Sequence, residues 1–205
     1  MIRDLQPDVL IRAYCNGAFP MAERGHILWF SPEMRGLIPL DERFHLPRRL
    51  RSALRHRPFE IRIDADFEGT MRGCAAREST WIDEQIIEAY TALNSLGVAH
   101  SIECWDADGL QGGLYGVALG GAFFGESMFS RKTNASKSAL AATVSILRRS
   151  GFTLFDTQWI TDHLRQFGAF EVPHVDYLTL LHDALRIDVK FKMNPIPSSY
   201  LDMMI

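Results

Sequence analysis

Residues 112–140 read GGLYGVALGGAFFGESMFSRKTNASKSAL, and the fold turns on them. Two short apolar runs, 114–119 and 122–124, flank the pair Gly120-Gly121. Adjacent glycines supply the positive φ angles of a tight turn, so the pattern predicts a β-hairpin. The second run meets Gly125-Glu126-Ser127, which puts a carboxylate at an expected strand end, where glycine lets backbone approach a ligand. Beyond Met128-Phe129 the chain turns polar and basic over residues 130–137, SRKTNASK, a segment rich in N-cap residues. Leu140, Val144 and Leu147 then recur at helical spacing until Gly151 stops the helix. A strand, a carboxylate and a basic helix N-terminus form a floor that suits a cation and a phosphate together. A half-buried hairpin packed on a helix would show the same pattern without a site.

On the C-terminal side, residues 152–158, FTLFDTQ, read as a buried strand with Asp156 and Gln158 on one face and Phe155 and Thr157 on the other. An acid and an amide inside an apolar run need hydrogen-bond partners or a function. Thr161 predicts the cap of a short helix over 162–167, where His163 fits a structural role. A final helix is expected over 176–185, with a loosely held tail from Asn194 onward.

On the N-terminal side, 101–105 predicts a strand and 106–109, DADG, a turn, which completes a three-strand antiparallel meander. Residues 59–64 alternate like a half-buried strand, and 67–76 predict a helix with Met71 and Cys74 inward. Thr80 as N-cap with Asp83 three residues on predicts a capping box, followed by Ile82, Ile86, Ala89, Leu93 and Leu96 at helical spacing. Residues 4–16 predict a first helix stopped by Gly17. The segment 17–32 is expected to be compact and irregular, with Trp29 and Phe30 offering aromatic surface.

Charge is uneven. The chain of 205 residues carries 22 Lys and Arg against 25 Asp and Glu, a formal net charge of −3. Yet residues 43–57, RFHLPRRLRSALRHR, hold Arg43, Arg48, Arg49, Arg51, Arg55 and Arg57 and no acid. Leu46, Leu50 and Leu54 anchor a helix from Pro47 onward, with the arginines fanned outward. Unneutralised like charges repel along a helix, so the patch fits a phosphate backbone. Cys15, Cys74 and Cys104 show no CxxC pairing, which argues for a reducing cytoplasm and against a zinc site or disulfide framework. No apolar run approaches the roughly 18 residues of a membrane span. A soluble cytoplasmic protein is expected.

The element order predicts an α/β (α+β) fold that resembles the GNAT acyltransferases, with a mixed, largely antiparallel sheet. The small lobe would span 1–57 and the catalytic domain 58–205. That superfamily's Gly-rich pyrophosphate turn is absent: residues 130–135 read SRKTNA. Another activated acyl carrier than CoA is expected.

Over nearly its whole length the chain resembles the leucyl/phenylalanyl-tRNA–protein transferases. The resemblance rests on Leu10-Ile11-x-Ala13-Tyr14-x-x-Gly17-x-Phe19-Pro20-Met21, Trp29-x-Ser31-Pro32-x-x-Arg35 and Thr80-Trp81-Ile82. It is most specific in Gly113-x-Tyr115-Gly116-Val117, Gly125-Glu126-Ser127-Met128-Phe129-Ser130-Arg131, Asn134-Ala135-Ser136-Lys137, Asp156-x-Gln158 and Gly168-Ala169-x-Glu171-Val172-Pro173. It implies transfer of Leu, Phe or Met from aminoacyl-tRNA to the N-terminal Arg or Lys of a protein, creating a degradation signal, with no cofactor and no metal. It assigns the chemistry to Asp156, Gln158 and Glu126. Substrate contacts fall to Trp29, Phe30, Trp81, Tyr90, Leu114, Phe123 and Ser127. The tRNA falls to Arg43, Arg48, Arg49, Arg51, Arg55, Arg57, Arg131 and Lys132. Three features depart from the family pattern: a shorter N-terminal segment, His174 in place of arginine, and Leu114 in place of methionine. A FemX-like aminoacyl-tRNA ligase of cell-wall peptides and a non-catalytic tRNA-binding module are the alternatives.

Overall fold

The computed structural model describes residues 5–56 and 58–191. In chain order the elements are α1 (Pro7–Cys15), β1 (Phe19–Glu23), β2 (His26–Phe30), β3 (Met34–Leu37), α2 (Arg48–Arg55), β4 (Glu60–Ile63), α3 (Phe67–Ala75) and α4 (Glu84–Ser95). Then follow β5 (Ala99–Asp106), β6 (Gly109–Leu119), β7 (Ala122–Ser130), α5 (Ala135–Ser150), β8 (Leu154–Gln158), α6 (Asp162–Arg165), β9 (Phe170–Pro173) and α7 (His174–Leu185). The tail from Asn194 and Arg57 lie outside the described residues.

Seven strands form one mixed sheet in the order β4-β5-β6-β7-β8-β3-β9. The meander β5-β6-β7 is antiparallel, and the hairpin closes with Leu119 opposite Ala122. Gly120 takes φ +52° in that turn, and a Cβ there would lie 2.7 Å from the Leu185 carbonyl oxygen, so both the angle and the close approach demand glycine. α5 crosses from β7 to β8, which makes these two strands parallel neighbours.

Side chains alternate across the sheet and feed two apolar layers. One gathers Leu10 and Tyr14 of α1, α3, α4 and α7 against Tyr115, Val117 and Phe124. The other gathers α2, α5 and Leu164 of α6 against Ile102, Leu114, Phe123 and Phe155. The result is a mixed α/β architecture with helices on both faces. Among the described residues no helix is long and apolar enough to cross a membrane.

Several elements differ from expectation. β7 runs on to Ser130, so Glu126 sits within a strand and not at its end. α4 starts one turn later than the Thr80 reading: Asp83 is the N-cap and accepts from the Ile86 N–H at 3.0 Å. Thr80 Oγ1 accepts from Ile82 N at 3.1 Å, and Trp81 therefore precedes the helix. Asp83, expected as the capping-box partner, is itself the cap, in keeping with the preference for aspartate over threonine at that position. Residues 19–30 are a hairpin, with Arg24 at φ +52° and Gly25 at φ +80° as a two-residue turn. The short β3, between β8 and β9, and β9 itself have no strong local strand pattern.

Candidate active site

β7 and β8 pair only through residues 122–124 and 154–156. Beyond these the parallel strands part, and a cleft of about 480 Å³ opens between them. A crevice at the carboxyl ends of parallel strands is the usual ligand position in open α/β sheets. Ser127, Met128 and Phe129 of β7 line it, with Phe155, Thr157, Gln158 and Trp159 across from them. Phe19, Met21 and Trp81 close one side, while Leu114, Leu140, His163 and Leu164 close the other. The lining is mainly apolar, and Glu126 is the one carboxylate among the described residues in it.

Glu126 owes its position to a β-bulge. Tyr115 pairs with Ser127 and Gly116 with Gly125, so one residue of β7 is left over, and that residue is Glu126. Bulges re-aim side chains in this way. The carboxylate accepts from Gln158 Nε2 at 3.2 Å. Beneath it Tyr14 and Tyr90 are fully buried and share a hydroxyl–hydroxyl hydrogen bond. Burial pushes the Glu126 carboxyl up to about 8; hydrogen bonding from Tyr14 opposes this, the Asp156 charge adds to it, and Arg35 and Tyr90 oppose it. Burial and the neighbouring Glu126 hold both tyrosine hydroxyls well above the usual range, so they stay protonated.

Asp156 stands one layer below the cleft wall. Its carboxylate accepts from Arg35 Nε at 2.9 Å and Nη2 at 2.6 Å, from Tyr177 Oη at 2.7 Å and from Gln158 N at 2.8 Å. Arg35 and Asp156 are both fully buried, and Arg35 Nη1 also donates to Gly17 O at 2.7 Å. The guanidinium lies 5.0 Å from the Phe19 ring centroid and 4.4 Å from that of Tyr177. Every acceptor of Asp156 is thus engaged inside the protein. Gln158 ends β8 at φ +59°, a left-handed angle that costs a side-chain-bearing residue about 1–3 kcal/mol. Its backbone is held by Asp156 and its amide by Glu126, so the three residues form one chain of contacts. The acid and amide of β8 do find partners.

The structure brings Glu126, Gln158, Trp81, Leu114 and Ser127 together at the cleft. Phe123 lies behind it, its ring centroid 5.4 Å from that of Phe155, and Tyr90 lies beneath Glu126. Phe30 packs on Trp159 at the rim, whereas Trp29 is exposed on β2 outside the lining. Arg48, Arg49, Arg51 and Arg55 are exposed on α2, and none forms an ion pair with a described residue. Arg43 is held by Asp41, and Lys132 Nζ is clasped by Asp106 and Asp108 at 2.6 Å each. Arg131 donates to Leu110 O at 2.9 Å. Arg57 is outside the described residues. Nothing local in the sequence points to Arg35, Tyr14, Tyr177, Arg77 or Trp159 as site residues, although Arg35 and Tyr14 lie within the family motifs. His174 donates its backbone N–H to Glu33 O at 2.8 Å and opens α7.

A family model described as leucyl/phenylalanyl-tRNA protein transferase matches residues 37–182, and one described as its N-terminal domain matches residues 3–33. A protein of Akkermansia muciniphila named leucyl/phenylalanyl-tRNA–protein transferase is 55% identical over 186 residues, which cover 88% of this chain and 96% of the relative. A relative of the same name from Herpetosiphon aurantiacus is 49% identical over 191 residues, 93% of this chain and 100% of the relative. Another, from Paramagnetospirillum magneticum, is 50% identical over 200 residues, 94% of this chain and 95% of the relative.

Proposed function

The chain belongs to the leucyl/phenylalanyl-tRNA protein transferase family, an aminoacyltransferase family acting on protein N-termini, and we propose that the β7–β8 cleft is where it performs the transfer. Leucine or phenylalanine passes from aminoacyl-tRNA to a protein whose N-terminal residue is Arg or Lys, and the product carries a degradation signal. The donor's apolar side chain enters the part of the cleft walled by Leu114, Met128, Leu140 and Phe155. Trp81 packs against the terminal adenosine. The arginines of α2 hold the tRNA further out through its phosphates. We read the fold as GNAT-like, supported by the parting of the parallel pair β7 and β8 after α5 crosses between them. The absence of cysteine pairing supports a cytoplasmic setting.

The reaction is aminolysis of an ester. The acceptor's α-amine attacks the carbonyl carbon, a C–N bond forms, the ester C–O bond breaks, and the ribose hydroxyl leaves. One amine proton must go, and the leaving oxygen must gain one. Glu126 is placed to take the first and return it to the second, because the bulge puts it in the cleft and burial pushes its carboxyl up toward the range of an α-amine. Once deprotonated, its charge also attracts the cationic acceptor residue. Gln158 orients the carboxylate. Asp156 is a positioning residue, since it reaches the cleft only through Gln158. Orientation of two reactants contributes roughly 7–11 kcal/mol, and the ester is already activated.

The observation that carries this reading is the lone bulged carboxylate in an apolar cleft, bonded to the amide of Gln158. The test is transfer of radiolabelled leucine from Leu-tRNA to a peptide beginning with Arg beside one beginning with Ala. Label on the Arg peptide alone is expected. Label on neither, despite tRNA binding, would overturn it.

A further inference from the structure

A second groove of about 300 Å³ continues from the cleft between the C-terminal end of α3 and the last residues of β7. It shares Arg77, Met128, Phe129 and Ser130 with the cleft, so the two form one path. Arg77 follows α3 and Arg131 follows β7, and both line the groove together with the Phe129 ring. The ring is held from behind: a Cβ on Gly73 would lie 2.7 Å from it.

Both guanidiniums are positioned by neutral oxygens, not by carboxylates. Arg77 donates through Nε to Cys74 O at 2.8 Å and through Nη2 to Ser127 Oγ at 2.9 Å. Arg131 donates through Nη1 to Leu110 O and lies 5.4 Å over the Phe129 ring. Neither forms an ion pair with a described residue. Their neighbours behave otherwise: Arg72 is held by Glu68 and Glu84, and Lys132 by Asp106 and Asp108. Two exposed, fixed guanidiniums with spare donors thus share one groove with an aromatic ring beside the reaction cleft. Planar forks of this kind match phosphate, and the ring suits a base or ribose.

We propose that this groove binds the sugar–phosphate backbone of the donor RNA just behind its esterified terminal nucleotide, with Arg77 and Arg131 on internucleotide phosphates. The assignment rests on the transferase reading and deepens it. An acceptor peptide is the other chain that must reach the cleft, but its defining feature is a cationic N-terminal residue, which two guanidiniums repel. The two substrates therefore enter from different sides, the donor over Phe129 and the acceptor toward Glu126.

The test compares two donors: leucyl-adenosine, which has no phosphate, and the same ester on a trinucleotide with two internucleotide phosphates. The wild type should prefer the trinucleotide by about tenfold or more in kcat/KM, and Arg77→Met/Arg131→Met should bring that ratio near one. The ratio is taken within each protein, so general damage to the cleft cancels. In parallel, the double variant should flatten the salt dependence of Leu-tRNA affinity by about 0.7 in log–log slope per lost phosphate contact. A wild-type ratio near one, a ratio retained by the variant, or an unchanged slope would each overturn the assignment. So would a retained ratio with a raised KM for acceptors bearing Glu at the second position, which would give the groove to the acceptor. A wild type that moves leucine from neither donor nor from intact Leu-tRNA would fell the transferase reading as well.

Discussion

At Glu126 the bulge, the two buried tyrosines and the amide of Gln158 hold a carboxyl that burial pushes up to about 8. It is neutral below that pH and charged above it, so a base role gains with rising pH. The acceptor amine titrates in the same range, about 7.7–8.0, and must also lose its proton. kcat/KM for an Arg peptide should therefore rise with a limiting log–log slope near two below about pH 7 and level off above about pH 9. Glu126→Gln should lower the rate by about 10²–10⁴-fold and leave the slope of one that belongs to the amine. A slope unchanged by the substitution would remove Glu126 from proton transfer. The left-handed backbone of Gln158 fixes where its amide points.

Among the elements, α2 places its charges against its own stability. Arg48 and Arg49 occupy the first turn, where no acid is present and a cation is disfavoured by about 0.3–1 kcal/mol. Leu50 and Leu54 hold the helix down on the core. Reversing Arg48, Arg49 and Arg51 to Glu should leave urea stability unchanged or raise it by up to about 1 kcal/mol, while Leu-tRNA affinity falls by at least about tenfold near 0.1 M salt. Equal affinity would take the tRNA off this helix. α2, the hairpin around Gly120 and the helix stopped by Gly151 were legible in the sequence because their signals are local: leucines four apart, paired glycines, a terminal glycine. β3 and β9 were not, being four residues each and made into strands by their neighbours in the sheet. The candidate site divides in the same way. Glu126, Asp156 and Gln158 could be picked out as polar residues in apolar runs, but the bulge that aims Glu126 depends on register with β6. The burial of Arg35 depends on a carboxylate 121 residues away.

For the molecule as a whole, that pair is a clasp. Arg35 on β3, Asp156 on β8, Tyr177 on α7 and the carbonyl of Gly17 meet at one point. Removing one partner strands a buried charge, so Asp156→Ala should cost about 3–5 kcal/mol in urea denaturation. It should also abolish most transfer through the freed Gln158. The joint replacement Arg35→Met/Asp156→Leu should recover much of the stability and none of the activity. A loss below about 1 kcal/mol for Asp156→Ala would show that the clasp does not bind the molecule together.

The place of β3 between β8 and β9 also sets a calendar for the newborn chain. Ribosomes deliver Met34–Leu37 well before either of its sheet neighbours, and Asp156 arrives long after Arg35. Until then the guanidinium has no counter-charge, and sequence-distant pairings of this kind close slowly. A prematurely released fragment ending before β8 lacks Gln158 and half of the cleft. The cleft of a protein whose products are marked for destruction is thus complete only once β8 has been made.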